Sequence, residues 1–101
     1  MRDGAARIIL ISMRIEKSSS TVFTPLEDGA GVLLNLDTLL YYSLNRTGAV
    51  IWQQIEEGKT VTLDDLIRTI CERFDVDEES ARMTLSAFIN QLEEFKMVRL
   101  A

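Results

Sequence analysis

Short apolar stretches alternate with turn-forming residues in the first half of the chain, as in an antiparallel sheet. Residues 21–26, 32–36 and 39–44 are rich in strand-forming side chains. The Asp-Gly step at 28–29 predicts a turn after the first stretch, and residues 37–38 predict a tight connection after the second. Strands joined by so few residues must be antiparallel neighbours, so the pattern predicts a three-stranded meander.

In the second half, apolar residues recur at intervals of three and four, which predicts three helices. The first covers residues 46–57 and ends at Gly58. Thr62, with Asp65 three positions later, opens the second, and Asp77 caps the third. The apolar stripe of the third helix must face a core, and it consists of Ala81, Leu85, Phe88, Leu92 and Phe95. The expected fold is α+β, a three-stranded antiparallel sheet followed by three helices.

Residues 1–20 fit this plan poorly, and we interpret them as an N-terminal extension ahead of a domain at 21–101. Residues 8–11 are apolar enough for an extra strand, and the three serines at 18–20 are typical of a flexible link. Met13 is an alternative translation start, which would make the residues before it of little structural importance. An apolar segment on a serine hinge can also exchange between two molecules, which would give a swapped homodimer.

Composition excludes several classes of protein. The 101 residues are 47% hydrophobic and 27% charged, with no His and a single Cys, which suits one globular domain. Without His, neither a zinc site nor His-based catalysis is expected. A lone Cys favours a reducing compartment such as the cytoplasm. No apolar run reaches the roughly 18 residues of a membrane span.

The net charge of −5 is concentrated in the second half of the chain, which contains eleven acidic and six basic residues from Ile51 onward. Such a field disfavours nucleic acid and anionic membranes and attracts basic protein surfaces, although an acidic surface kept for solubility explains it equally well. Paired carboxylates sit at helix starts or on polar helix faces, where capping and solvation explain them. Cys71 reads as a small buried hydrophobe. We therefore predict no catalytic residue, no metal site, no cofactor and no enzyme.

The third predicted strand calls for a functional explanation, because it is short, apolar and followed directly by a helix. If it lies at the sheet edge, its unpaired N–H and C=O groups either promote aggregation or accept a peptide as an added strand. Alternatively, Leu40, Tyr42 and Leu44 alternate into the core while Tyr41 lies on the surface. The pattern does not choose between these two interpretations.

Residues 44–52 read Leu-Asn-Arg-Thr-Gly-Ala-Val-Ile-Trp, and this segment resembles the PqqD-like family. The family includes the peptide chaperone of pyrroloquinoline quinone (PQQ) biosynthesis and the precursor-peptide recognition elements of related pathways. Gly-Lys-Thr at 58–60, Phe-Asp-Val-Asp at 74–77 and Phe-Ile-Asn-Gln-Leu at 88–92 follow in the family's order. The resemblance therefore extends over about residues 21–100.

Three departures from the family pattern favour the broader family over the PQQ pathway alone. Thr84 stands where many members carry an acidic residue, and Lys96 stands where Gly is usual. The strand region also lacks the Arg- and Pro-rich pattern of the chaperones dedicated to PQQ.

The resemblance implies a winged helix-turn-helix-like domain without catalysis of its own. Similar proteins bind the leader of a ribosomally made precursor peptide as an added antiparallel strand, between the third strand and the third helix. They present it to a modifying enzyme, often a radical S-adenosylmethionine protein. Carried onto this sequence, the peptide-binding residues are Leu39, Leu40, Tyr41, Tyr42 and Ser43 on the strand and Arg82, Leu85, Ser86 and Ile89 on the helix.

Two other functional classes remain open. A winged-helix DNA-binding or transcription-associated module shares this topology, but residues 77–94 carry one basic residue, Arg82, against five acidic ones. DNA readers need Lys and Arg for phosphate contacts. The other class is an interaction domain that dimerises through the same strand edge. The peptide-binding module is the interpretation that the sequence favours.

Overall fold

A computed structural model describes residues 14–57 and 61–100, which form two small antiparallel sheets and three helices. In chain order the elements are β1 (Arg14–Lys17), β2 (Thr21–Pro25), β3 (Gly31–Asn35), β4 (Tyr41–Leu44), α1 (Arg46–Glu57), β5 (Val61–Thr62), α2 (Leu63–Arg73), α3 (Glu78–Glu94) and β6 (Val98–Leu100). The predicted α+β class is confirmed. The expected strand at 8–11, the alternative start at Met13 and the helix end at Gly58 lie outside the described residues.

The predicted meander is the sheet β2–β3–β4, in that strand order. Its last strand begins at Tyr41, two residues later than the sequence pattern predicts. The buried side chain of Asn35 accepts hydrogen bonds from the N–H groups of Asp37 at 2.8 Å and Thr38 at 3.1 Å. These bonds hold a wider turn than the expected two-residue connection, and Leu39 adopts a φ of 63° within it.

A second sheet has the order β5–β1–β6, and its central strand lies within the stretch that the sequence assigned to an extension. Ile15 of β1 is fully buried, so part of that stretch contributes to the core. The serines that follow form a turn, in which the Ser18 N–H donates to the Met97 carbonyl. The strand β6 pairs antiparallel with β1 and not with the meander.

The three helices pack over both sheets around one core. Trp52 of α1 and Leu63 and Leu66 of α2 are essentially inaccessible to solvent, and each such side chain contributes roughly 1.5–3 kcal/mol. The predicted capping box at the start of α2 is present, with Thr62 and Asp65 bonded reciprocally. The buried side of α3 consists of Ala81, Leu85, Ile89 and Leu92. Phe88 and Phe95, which the sequence pattern assigned to this stripe, are only partly buried. This packing fixes the rotation of α3 and therefore decides which flank of the helix faces β4.

Asp77 caps α3 and should make stability depend on acidity. Its carboxylate accepts from the Ser80 N–H at 2.8 Å. Hydrogen bonds from the side chain and the main chain of Ser80 lower the pKa of Asp77 below its usual 3.8. The contribution is therefore complete above the unfolded-state pKa and is lost as the pH falls through the folded-state pKa. Urea unfolding of wild type and Asp77→Asn between pH 2 and 6 tests this, because the amide caps without titrating; parallel pH profiles would contradict it.

Candidate functional site

The free edge of β4 is the first component of the candidate site. Within the described residues β4 pairs only with β3. The Asn35 N–H donates to the Leu40 carbonyl at 2.9 Å, and antiparallel alternation then directs the main-chain groups of Tyr42 and Leu44 toward β3. Those of Tyr41 and Ser43 point away from the sheet. The edge therefore offers the N–H and C=O groups of two residues to another strand.

Tyr42 bridges the strand and helix α3. Its ring lies 6.2 Å from the ring of Phe88 and 5.2 Å from that of Phe95, the latter edge-on at 81°. Its hydroxyl donates to the Gln91 side-chain carbonyl. Aromatic contacts of this geometry add about 0.5–1.5 kcal/mol beyond simple burial. Tyr42 therefore holds β4 at a fixed distance from α3.

A second hydrogen bond joins the end of β3 to the segment that follows α3. Asn35 is 3% exposed, and its side-chain amide donates to the Lys96 carbonyl at 2.6 Å. The same side chain organises the turn before β4, as described above. The β3–β4 turn and the segment after α3 are therefore connected through one buried amide.

Between these elements lies a cavity of about 330 Å³, which we call the strand–helix groove. Its walls include Ser43 and Leu44 of β4, Thr47 and Ile51 of α1, and Thr84 and Phe88 of α3. A more apolar cavity of about 190 Å³ adjoins it between the three helices and shares Thr47, Ile51 and Thr84. The free edge thus lies beside a depression that can accept side chains.

The predicted strand residues occupy three different settings. Leu39 and Leu40 lie in the turn before β4 and are 72% and 43% exposed. Tyr41 is 67% exposed, which matches the interpretation that placed it on the surface. Tyr42 and Ser43 line the strand–helix groove.

The predicted helix residues lie away from the groove. Leu85 and Ile89 are core residues, 1% and 0% exposed. Arg82 and Ser86 are six and two positions from Phe88, which at 100° per residue places them on the opposite flank of α3. There Arg82 pairs with Glu78 at 3.3 Å.

Three residues of α3 that were not predicted for the site face β4, namely Thr84, Phe88 and Gln91. Their spacing of four and three places them one flank away from the buried stripe. The sequence pattern identified Ala81, Leu85 and Leu92 of the stripe but assigned Phe88 to it as well, so this flank was not recognised as separate. Choosing between the two flanks requires knowing which side of α3 the strand occupies.

Comparison with known families gives an independent view of the region that contains the groove. The family model described as coenzyme PQQ synthesis protein D (PqqD) matches residues 30–98. The chain belongs to the PqqD family. This confirms the resemblance drawn from the sequence motifs, and the matched region includes β4, α1 and α3. Comparison with curated proteins finds no match.

Two solved structures resemble this PqqD-family chain. TbiB1 in complex with the TbiA(beta) leader peptide is 27% identical, with a TM-score of 0.75 over 83% of this chain and 94% of that one. Lasso peptide synthetase B1 complexed with the leader peptide is 22% identical, with a TM-score of 0.71 over 84% and 96% of the two chains. At that identity the second structure supports the fold alone.

No helix within 14–57 and 61–100 is long and apolar enough to cross a membrane. The same residues bring together no group of three His, Cys, Asp or Glu side chains that could hold a metal ion.

Proposed function

We propose that this PqqD-family protein binds the leader of a ribosomally made precursor peptide in the strand–helix groove and presents it to a modifying enzyme. The observation that carries the proposal is the outer edge of β4, with which no described residue pairs, beside a cavity that can hold side chains. The similarity to TbiB1, which was solved with a leader peptide, supports it. The pathway is PQQ-type or a related peptide modification, and a ribosomally made client places this step in the cytoplasm.

Binding would proceed by strand addition. The peptide main chain exchanges hydrogen bonds with Tyr41 and Ser43, and alternate peptide side chains enter the groove against Thr84 and Phe88. In the antiparallel orientation the peptide's N-terminal end lies beside Leu44 and its C-terminal end beside Tyr41. Ordering a flexible leader offsets part of the gain, so we expect a dissociation constant of about 1 μM, equivalent to about −8 kcal/mol.

The protein would contribute binding and no chemistry. None of the described residues that line the groove is acidic or basic, so selection rests on main-chain hydrogen bonds and on the fit of apolar side chains. The partner enzyme then carries out the reaction on the peptide, and we propose that this enzyme is a radical S-adenosylmethionine protein.

Replacing Ser43 with Pro should weaken leader binding about tenfold, because it removes the outward N–H that an added strand needs. Edge strands tolerate proline, so the fold should persist. Ser43→Ala keeps the N–H and is the matched control, with affinity close to wild type. The measurement is isothermal titration with synthetic leaders of the short reading frames encoded beside the gene. Equal affinity of the Pro and Ala variants would exclude strand addition at β4.

Self-association through the same edge is the second candidate function. Leu39 and Tyr41 are more than 60% exposed, and an exposed apolar edge can pair with a second copy. Sedimentation with and without a leader peptide separates the two candidates. A dimer that the Ser43→Pro variant abolishes, together with no binding of any leader, would favour the interaction domain.

A further inference from the structure

A polar cavity of about 390 Å³ lies near the Tyr41 end of β4, between the β1–β2 turn, the β3–β4 turn and the end of α3. Its lining contains three cationic side chains, Lys17, Lys96 and Arg99, and one acidic side chain, Asp37. We call it the cationic cavity. The lining therefore contains more cationic than acidic side chains, whereas the whole chain has a net charge of −5. Which of the three cations can attract an anion depends on their ion pairs.

Two of the three cations already have acidic partners. Lys17 pairs with Glu56 at 3.1 Å, and Arg99 pairs with Glu16 at 2.9 Å. Within the described part of the chain, Lys96 has no ion pair. The charge of Lys96 is therefore available to a ligand.

The backbone at Lys96 is unfavourable for any residue other than glycine. Its φ is 61°, the left-handed conformation at the end of a Schellman motif. The Lys96 N–H bonds the Glu93 carbonyl at 3.0 Å, and the Met97 N–H bonds the Leu92 carbonyl at 2.8 Å. A cation near a helix C-terminus recovers only part of the cost of this conformation. The side chain at 96 therefore lowers stability compared with Gly, and a role in binding explains its presence.

The cationic cavity lies where the downstream part of a bound leader would leave the groove. An antiparallel strand on β4 ends beside Tyr41, and the cavity includes Asn35 and Asp37 at the same end of the meander. The added strand would lie two strand spacings from β3 and three from β2, a distance of roughly 10–14 Å. An extended chain covers that distance in roughly three or four residues.

We infer that the cationic cavity binds the carboxylate of an acidic leader residue, roughly three to five positions after the segment that pairs with β4. This inference rests on the proposed function and extends it. It identifies the clients as leaders with Asp or Glu downstream of the paired segment. Lys96 supplies the uncompensated charge, while the serine hydroxyls of the β1–β2 turn line the same cavity.

The test varies one carboxylate in the peptide and one charge in the protein. A leader that binds wild type is synthesised with Gln at every position from two to six after its paired segment, and Glu is then restored one position at a time. Restoring Glu three to five positions downstream should tighten binding about fivefold, and Lys96→Gly should remove that gain. The same variant should unfold about 4 °C higher, because Gly relieves the left-handed backbone. If Lys96 had only a structural role, the Lys96→Gly variant would not lose peptide affinity while gaining stability.

Arg68→Gln is the matched control for net charge, because Arg68 lies on α2 with its side chain 66% exposed and does not line the cavity. If Arg68→Gln lost as much peptide affinity as Lys96→Gly, the effect would be one of general electrostatics, and the inference would be overturned. Wild type that binds leaders without preference for Glu would also overturn it, yet leave strand addition standing. Failure of every leader to bind would overturn both proposals. If sodium phosphate alone shifts the Lys96 backbone amide resonance as strongly as the Glu-containing peptides do, the inference is overturned and the cavity is a site for free anions.

Discussion

Replacing Ile15 with Asp is expected to unfold the protein at room temperature. Ile15 is fully buried in β1, the central strand between β5 and β6. Truncating a buried Ile to Ala costs about 2–5 kcal/mol, and an unpaired buried carboxylate costs several kcal/mol more. The total approaches the 5–15 kcal/mol that typically separates folded from unfolded protein. Loss of the helical circular dichroism signal, or a urea midpoint near zero, is the expected measurement.

Arg14→Asp is the control for this prediction, because Arg14 is exposed on the same strand. Its effect should stay within about 0.5 kcal/mol. The pair also decides where the folded domain begins. A stable, fully helical Ile15→Asp variant would mean that β1 is dispensable and that a domain starting at residue 21 is complete.

Replacing Thr84 with Trp is expected to block leader binding while leaving the fold unchanged. Thr84 is exposed on α3 and lines both the strand–helix groove and the adjoining apolar cavity. An indole at this position would fill the space that a peptide side chain needs. Steric overpacking costs about 1–3 kcal/mol, which corresponds to a loss of affinity of about 5- to 150-fold. Fluorescence anisotropy of a labelled leader peptide measures the affinity.

Met83→Trp is the matched control, because Met83 is 66% exposed on the neighbouring position of α3 and does not line the groove. Its affinity should remain within twofold of wild type. If both variants bind equally well, the peptide does not enter the groove beside Thr84. If Met83→Trp alone loses binding, the peptide lies on another face of α3.

The sequence predicted the elements whose signals are local. The capping box at Thr62, the cap at Asp77 and three of the four buried residues of α3 depend on residues within a few positions of one another. The second sheet was missed for the opposite reason. β1 contains a single apolar residue, Ile15, and β5 has only two residues, so neither gives a detectable alternation. They form strands because segments distant in sequence pair with them.

The same distinction explains the site. The aromatic residues of β4 are visible in the local pattern, whereas its position at the sheet edge was implied only by the family resemblance. The helix residues were chosen as the flanks of the core stripe, and of these Leu85 and Ile89 are 1% and 0% exposed. The flank that faces the strand is selected by Tyr42, through its contacts with Phe88 and Gln91. Those contacts cross about half the chain, and no local pattern encodes them.

The Asn35 amide has a kinetic consequence for the proposed clients. It ties the β3–β4 turn to the segment after α3, and Tyr42 ties β4 to α3 itself, so the space between β4 and α3 is set before any peptide arrives. Association then waits only on diffusion and on the flexibility of the peptide, which differ little between peptides of similar length. Dwell time would instead vary with the side chains that enter. Such a protein would select clients by their residence time, because only peptides that stay bound until the partner enzyme arrives would be delivered to it.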